Sequence, residues 1–221
     1  TTEIYTLSLH DALPIFATTP THILSRHVGY CFQNPNHQIV SFKVRDEMIF
    51  GLKAHNIDES EYDARILKAL KLVNMEEFAN AELFDLGKGQ KQRIALASIL
   101  VLEPEILIVD EPTTGQDPEM TEEIFKIIRS LNENGTTVLV ITHQIDYAAL
   151  FTKRAIVLNH GKVAYDGSFK DLLLDEQLMQ KNSLEQPNIT KLVRSLVEYG
   201  IPADTIEYEK VESYLKEMVE A

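Results

Sequence analysis

Two adjacent carboxylates, Asp110 and Glu111, stand at the end of the apolar run Ile106-Leu107-Ile108-Val109 and just before Pro112. A run that is apolar at every position, rather than at every second one, suits a strand buried on both faces of a parallel sheet. Ligands of such sheets bind beyond the carboxyl ends of the strands, which is where both acids fall. Adjacent strand residues point to opposite faces, so the two acids cannot duplicate each other. One suits a hard cation, with Mg2+ the natural choice. The other suits polarising a water molecule, and the pair has the layout of a phosphoryl-transfer site. Taken alone, Asp-Glu-Pro can also be read as a buried strand ending in a solvated acidic turn.

The flanking stretches separate these readings. Upstream stands Asp85-Leu86-Gly87-Lys88-Gly89-Gln90-Lys91-Gln92-Arg93, and earlier still Phe32-Gln33-Asn34-Pro35. Downstream stand Thr114-Gly115-Gln116-Asp117 and then Thr142-His143. In order these are a Gln loop, a signature helix, a Walker B strand, a D-loop and a switch His. The set resembles the ATP-binding subunit of ABC transporters, and an ordered set is far more specific than any one motif. Phe32-Gln33-Asn34-Pro35 followed by Gln38, with Pro187 ahead of a C-terminal tail, resembles the energy-coupling-factor type, which drives uptake of vitamins and transition-metal ions. The resemblance covers about residues 26 to 200.

That resemblance implies an α/β fold. Its core is a P-loop NTPase parallel sheet with a helical subdomain over about residues 34–100, followed by a C-terminal helical appendage. It implies ATP and Mg2+ as cofactors, with Asp110 on the metal through water, Glu111 as catalytic base and His143 on the γ-phosphate. Gln33 would reach the metal and the attacking water. Leu86, Gly87, Lys88, Gly89 and Gln90 would face the ATP held by the other protomer, and Asp117 is the D-loop acid. The implied partners are a second ATPase protomer, as homodimer or heterodimer, and integral membrane subunits. The implied place is the cytoplasmic face of the cell membrane.

The chain departs from the family pattern at three places. The usual signature is Leu-Ser-Gly-Gly-Gln, so Gly87 replaces a hydroxyl and Lys88 replaces a glycine. Either the opposite catalytic site is weakened, or Lys88 serves as the phosphate partner instead. Gln116 stands where the family has Leu. No Gly-x-x-x-x-Gly-Lys-Ser/Thr phosphate loop occurs in the sequence. The expectation is therefore an N-terminally truncated chain: residues 1–16 a non-family leader from a sequence junction, 17–176 a partial ATPase domain, 177–221 a tail. Ser8, His10 and Asp11 carry no triad, because triad members meet in space rather than in a row.

Composition narrows the alternatives. The chain has 221 residues, 44% hydrophobic and 25% charged, with net charge −13. An acidic chain is a poor non-specific partner for nucleic acid or anionic lipid. The single cysteine, Cys31, permits no internal disulfide and lies in an apolar strand candidate, as a buried structural thiol would. No apolar run approaches the ~20 residues of a membrane helix, and no secretory signal is evident.

The elements that must position the site follow from local signals. A strand is expected over 26–33, and helices over 43–54 and 58–73. Asp58 caps the second helix, and Tyr62, Ile66, Ala69, Leu70 and Val73 share one face. A helix opens at 86–90 and runs to about Leu102, where Glu103-Pro104 ends it. Asp117 and Pro118 start the next, which ends before Gly135. A second buried strand spans 137–142, a short helix 146–151, and a hairpin 154–159 with 162–165. Gly167-Ser168 caps a helix to Leu174, 177–188 is a linker, and amphipathic helices span 189–199 and 208–219. The rival readings are a non-transport ABC ATPase of DNA repair or translation and a non-catalytic protomer that only binds its partner. Neither the coiled-coil heptads nor the basic arms of the former occur in the sequence.

Overall fold

A computed structural model of the chain describes residues 18–206 and 208–220, so the expectation for residues 1–16 lies outside the described residues. The chain divides into two compact units between Thr142 and His143.

The first unit is built on a parallel sheet of β1 (Val28–Cys31), β2 (Ile106–Asp110) and β3 (Thr137–Ile141), with β2 in the middle. Tyr30 stands opposite Ile108, and Asp110 opposite Ile141. The strand expected over 26–33 is shorter at both ends. Arg26 and His27 are spent in the turn after α1 (Thr21–Leu24), where their N–H groups bond Ile23 and Leu24. Phe32 leaves the strand because its N–H bonds the Gln38 side chain.

The expected burial of β2 on both faces is corrected. Leu107 and Val109 are fully buried, whereas Ile106, Ile108 and Asp110 are half-buried. The core cluster that buries Cys31, Leu107, Val109 and Val138 also holds residues of α2 (Val44–Ala54), α3 (Tyr62–Leu72), α4 (Lys88–Leu100) and α5 (Pro118–Glu133). Only the strand face joined to that cluster loses its water among the described residues. On β3 the same alternation leaves Ile141 45% exposed, so the expectation of a fully buried second strand is corrected too.

The helices begin and end where local chemistry directs. Asp58 accepts the Ser60 N–H at 2.8 Å and opens a short 3-10 turn before α3. Tyr62, Ile66, Ala69, Leu70 and Val73 are all buried, as their spacing requires. Asp117 caps α5 by accepting the Met120 N–H at 2.9 Å, with Pro118 at the first helical position. Gly135, at φ +101°, ends it.

The second unit comprises α6 (Ile145–Phe151), a hairpin of β4 (Arg154–Asn159) and β5 (Lys162–Ser168), and then α7 (Phe169–Leu174). The second hairpin strand runs three residues beyond the expected Tyr165, because Arg154 grips Asp166 with two bonds of 2.8 and 2.9 Å. The expected linker over 177–188 is also corrected. Asp175 accepts the Leu178 N–H and starts α8 (Glu176–Lys181), whose Met179 is fully buried. Then come α9 (Asn188–Leu196), stopped after a 3-10 turn by Gly200 at φ +95°, and α10 (Tyr208–Glu220). No helix among the described residues is long and apolar enough to cross a membrane.

Candidate functional site

The end of β2 carries the first pair of predicted residues, and the structure gives them different backbone settings. Asp110 is the last strand residue and accepts a hydrogen bond from the Tyr30 hydroxyl at 2.8 Å. The parallel register explains the partner. Tyr30 lies opposite Ile108, two residues before Asp110 and therefore on the same face. The Tyr30 ring is set edge-on against Phe32, with centroids 5.0 Å apart. Burial pushes the neighbouring Cys31 thiol up to about 12, with the Asp110 charge adding to it.

The hydrogen bond to Asp110 also raises the Tyr30 phenol above its ordinary 10.0. A raised pKa means that the bond stabilises the fold below pH 10 and is lost as pH climbs through the raised value. Tyr30→Phe should therefore lose less stability than the parent chain on going from about pH 9 to strongly alkaline solution. Urea midpoints for both chains across that range check this, and parallel curves would exclude the bond.

Glu111 does not continue the strand. Its N–H still bonds the Ile141 carbonyl at 2.8 Å, but its φ is +44°. A left-handed conformation at a residue with a Cβ costs on the order of 1–3 kcal/mol and persists only where the surroundings enforce it. The chain turns sharply here, and strand alternation no longer sets the Glu111 side chain. Beyond it, Thr113 is fully buried, and the hydroxyls of Thr113 and Thr114 have no hydrogen-bond partner among the described residues.

The first turn of α4 meets the segment that follows. Gly87 occupies the cap position with extended backbone and offers no side-chain acceptor to the helix. Its own N–H bonds the Gln90 side chain at 2.9 Å. The first-turn N–H groups thus keep their partial positive charge, which suits an anion. Leu86 is buried in the core, so it faces any ligand through its backbone alone. Gly115, at φ +71°, lies beneath the Lys88 ammonium, which is 2.5 Å from where a Cβ would stand. Gly89 is crowded in the same way by Met120 and by the Gln116 side-chain oxygen. Gly87 to Gln90 and Gly115 to Asp117 therefore form one patch, while the Asp117 carboxylate is committed to its helix cap.

Gln33 is exposed, in a segment that is itself tightly held. Asn34 caps the 3-10 turn Pro35–His37 by accepting the Asn36 N–H at 3.0 Å. Glu47, 4% exposed, accepts the N–H groups of Val40 and Ser41 at 3.0 and 2.9 Å. Sequence reasoning missed Tyr30 and Glu47, but Glu47 had left a signal. It lies on the core face of α2 with Val44, Met48 and Leu52, and a carboxylate there must find donors. His143 is the first residue of the second unit, and its carbonyl accepts the Ile145 N–H at 3.1 Å.

Among the described residues no three His, Cys, Asp or Glu side chains cluster to hold a metal. Mg2+ needs no such cage, since one or two carboxylates complete its shell together with phosphate oxygens and water. The half-buried Asp110 carboxylate, with Oδ2 on Tyr30, fits holding a water of such a shell.

A family model described as "ABC transporter" matches residues 8–114. Among curated proteins, the chain is 33% identical over 197 residues to the energy-coupling factor transporter ATP-binding protein EcfA of Methanocaldococcus jannaschii, covering 86% of this chain and 70% of that one. It is 36% identical over 200 residues to EcfA2 of Mycoplasmopsis synoviae, covering 89% of this chain and 64% of that one. It thus spans less than two thirds of the latter's length, and 30% of a further ATP-binding relative from Caldanaerobacter subterraneus. Among solved structures it resembles CbiO1 of Clostridium perfringens, part of the transporter complex CbiONQ, with a TM-score of 0.65 and 34% identity over 78% of this chain and 69% of that one.

Proposed function

Because the chain belongs to the ABC transporter ATP-binding family, we propose that it is an ATP-hydrolysing subunit that pairs with a second ATPase and energises an energy-coupling-factor importer. Its cargo on this reading is a vitamin or a transition-metal ion, chosen by the membrane subunits, and it works at the cytoplasmic face of the cell membrane. The observation that carries the proposal is the end of β2. An Asp there shares its carboxylate with a tyrosine, and the next residue is a Glu held in a left-handed turn. Strained backbone of this kind clusters at functional sites.

In the proposed reaction, a water oxygen attacks the terminal phosphorus of ATP, the bond to ADP breaks, and Glu111 takes the proton. Asp110 would hold Mg2+ through water, and the cation, when bound, would supply neutralisation of charge on the phosphate oxygens. Gln33 would orient the attacking water. The first turn of α4 turns its N–H groups towards the ATP on the partner, with Lys88 beside it. Asp117 keeps the neighbouring segment in place through its cap. His143 is assigned to the terminal phosphate by motif order alone.

The test begins with the chain as it stands. Its sequence lacks a phosphate loop, which supplies most of the N–H groups and the Lys directed at nucleotide phosphates. Calorimetry at millimolar Mg-ATP should show no saturable heat. Extending the N-terminus by the strand, phosphate loop and first helix of an energy-coupling-factor ATPase should give Mg2+-dependent binding, and hydrolysis once the partner subunits are present. An extended, folded and assembled protein that bound ATP without hydrolysing it would overturn the proposal.

A further inference from the structure

Gln38 ties the segment bearing Gln33 to α4. Gln38 Oε1 accepts the Phe32 N–H at 3.1 Å, while its Nε2 donates to the Ala95 carbonyl at 2.5 Å and to Ser98 Oγ at 3.0 Å. The amide orientation is set by its partners, since an N–H requires the oxygen and a carbonyl requires the nitrogen. Ala95 and Ser98 lie on α4 and are buried. Gln92, on the same helix, directs its Nε2 at the Phe32 carbonyl, 3.5 Å away. Both backbone groups of the residue before Gln33 are thus bonded to side chains on α4 or resting on it. At the far end, Glu47 holds Val40 and Ser41.

We propose that Gln38 is a positioning residue for Gln33. It locks the Gln33 segment to α4, so that Gln33 and the first turn of that helix move as one body. The inference rests on the role proposed above for Gln33. A displacement of the exposed Gln33 segment then reaches the Gly87–Gln90 turn through a rigid helix, without needing a contact at the turn itself. A glutamate at 38 could not serve, because it would keep the Phe32 bond but set an oxygen against the Ala95 carbonyl. Methionine has similar length and flexibility and makes neither bond.

The experiment compares Gln38→Met, Gln38→Glu and Gln33→Ala with the parent. In the chain itself, amide exchange by NMR should show the Phe32 N–H exchanging at least about tenfold faster in Gln38→Met, with the circular dichroism of the fold kept. Gln38→Glu should hold Phe32 protected while loosening the amides of α4 near Ala95. In the chain extended as above and assembled with its partner subunits, Gln38→Met should lower kcat about tenfold with KM for ATP nearly unchanged. On a Gln33→Ala background it should cost nothing further, because a residue acting through Gln33 has nothing left to position. Unchanged Phe32 exchange, or losses that multiply in the double variant, would overturn the proposal. If Gln33→Ala alone left kcat intact, the role given to Gln33 would fall, while the anchoring of its segment would still be decided by Phe32 exchange.

Discussion

Replacing Glu111 by Gln in the extended, assembled ATPase should lower the rate of ATP hydrolysis by about 10²–10⁴-fold and leave nucleotide affinity nearly intact. The substitution keeps the shape of the side chain and removes its ability to accept a proton. The N–H bond from Glu111 to Ile141 is made by the backbone and is open to either side chain. A second substitution separates chemistry from folding. Glycine adopts the φ of +44° at this position freely, so Glu111→Gly relieves the strain and should not destabilise the chain, while lowering hydrolysis at least as much as Gln does. Urea denaturation of the chain and phosphate release from the assembled complex measure the two effects. Wild-type hydrolysis by Glu111→Gln would remove Glu111 from the role of base.

The second expected result concerns the partner's ATP. Gly87→Ser combined with Lys88→Gly raises turnover at the site completed by this chain about tenfold to a hundredfold, the worth of one charge-assisted hydrogen bond to phosphate. The local structure accepts the exchange. A Cβ on Gly87 meets nothing closer than the Gln90 side-chain oxygen at 3.6 Å, and the backbone there is already that of a helix cap. Serine is a preferred residue at such a cap. Removing Lys88 takes away the ammonium that lies over Gly115. The measurement uses a complex whose partner carries an ordinary signature, with each ATP site silenced in turn to locate the gain. A fall in turnover instead would make Lys88 a working phosphate ligand. A homodimer would carry the altered signature at both sites, and the expected asymmetry would vanish.

Much of the fold was legible because it is decided locally. Ile106 to Asp110 forms a strand, Asp117 with Pro118 starts a helix, Gly135 ends it and Asp58 opens another, all within reach of adjacent backbone groups. The apolar period of α3 likewise determined which of its side chains are buried. The run of motifs identified the family, because each motif is a short stretch whose chemistry is written in consecutive residues.

What the tertiary structure alone decided involves residues far apart in the chain. Tyr30 meets Asp110 across eighty positions, because a parallel register sets residue 30 opposite 108. Gln38 meets Ala95 across fifty-seven, because α4 packs beside the segment that leaves β1. The half-burial of Ile106 and Ile108 follows from where the core helices stand, which an unbroken apolar run cannot encode. The left-handed turn at Glu111 belongs here too. An L-residue resists that φ by itself, so the strain is held by surroundings that include the bond to the end of the neighbouring strand, and it exists only once β2 and β3 have paired.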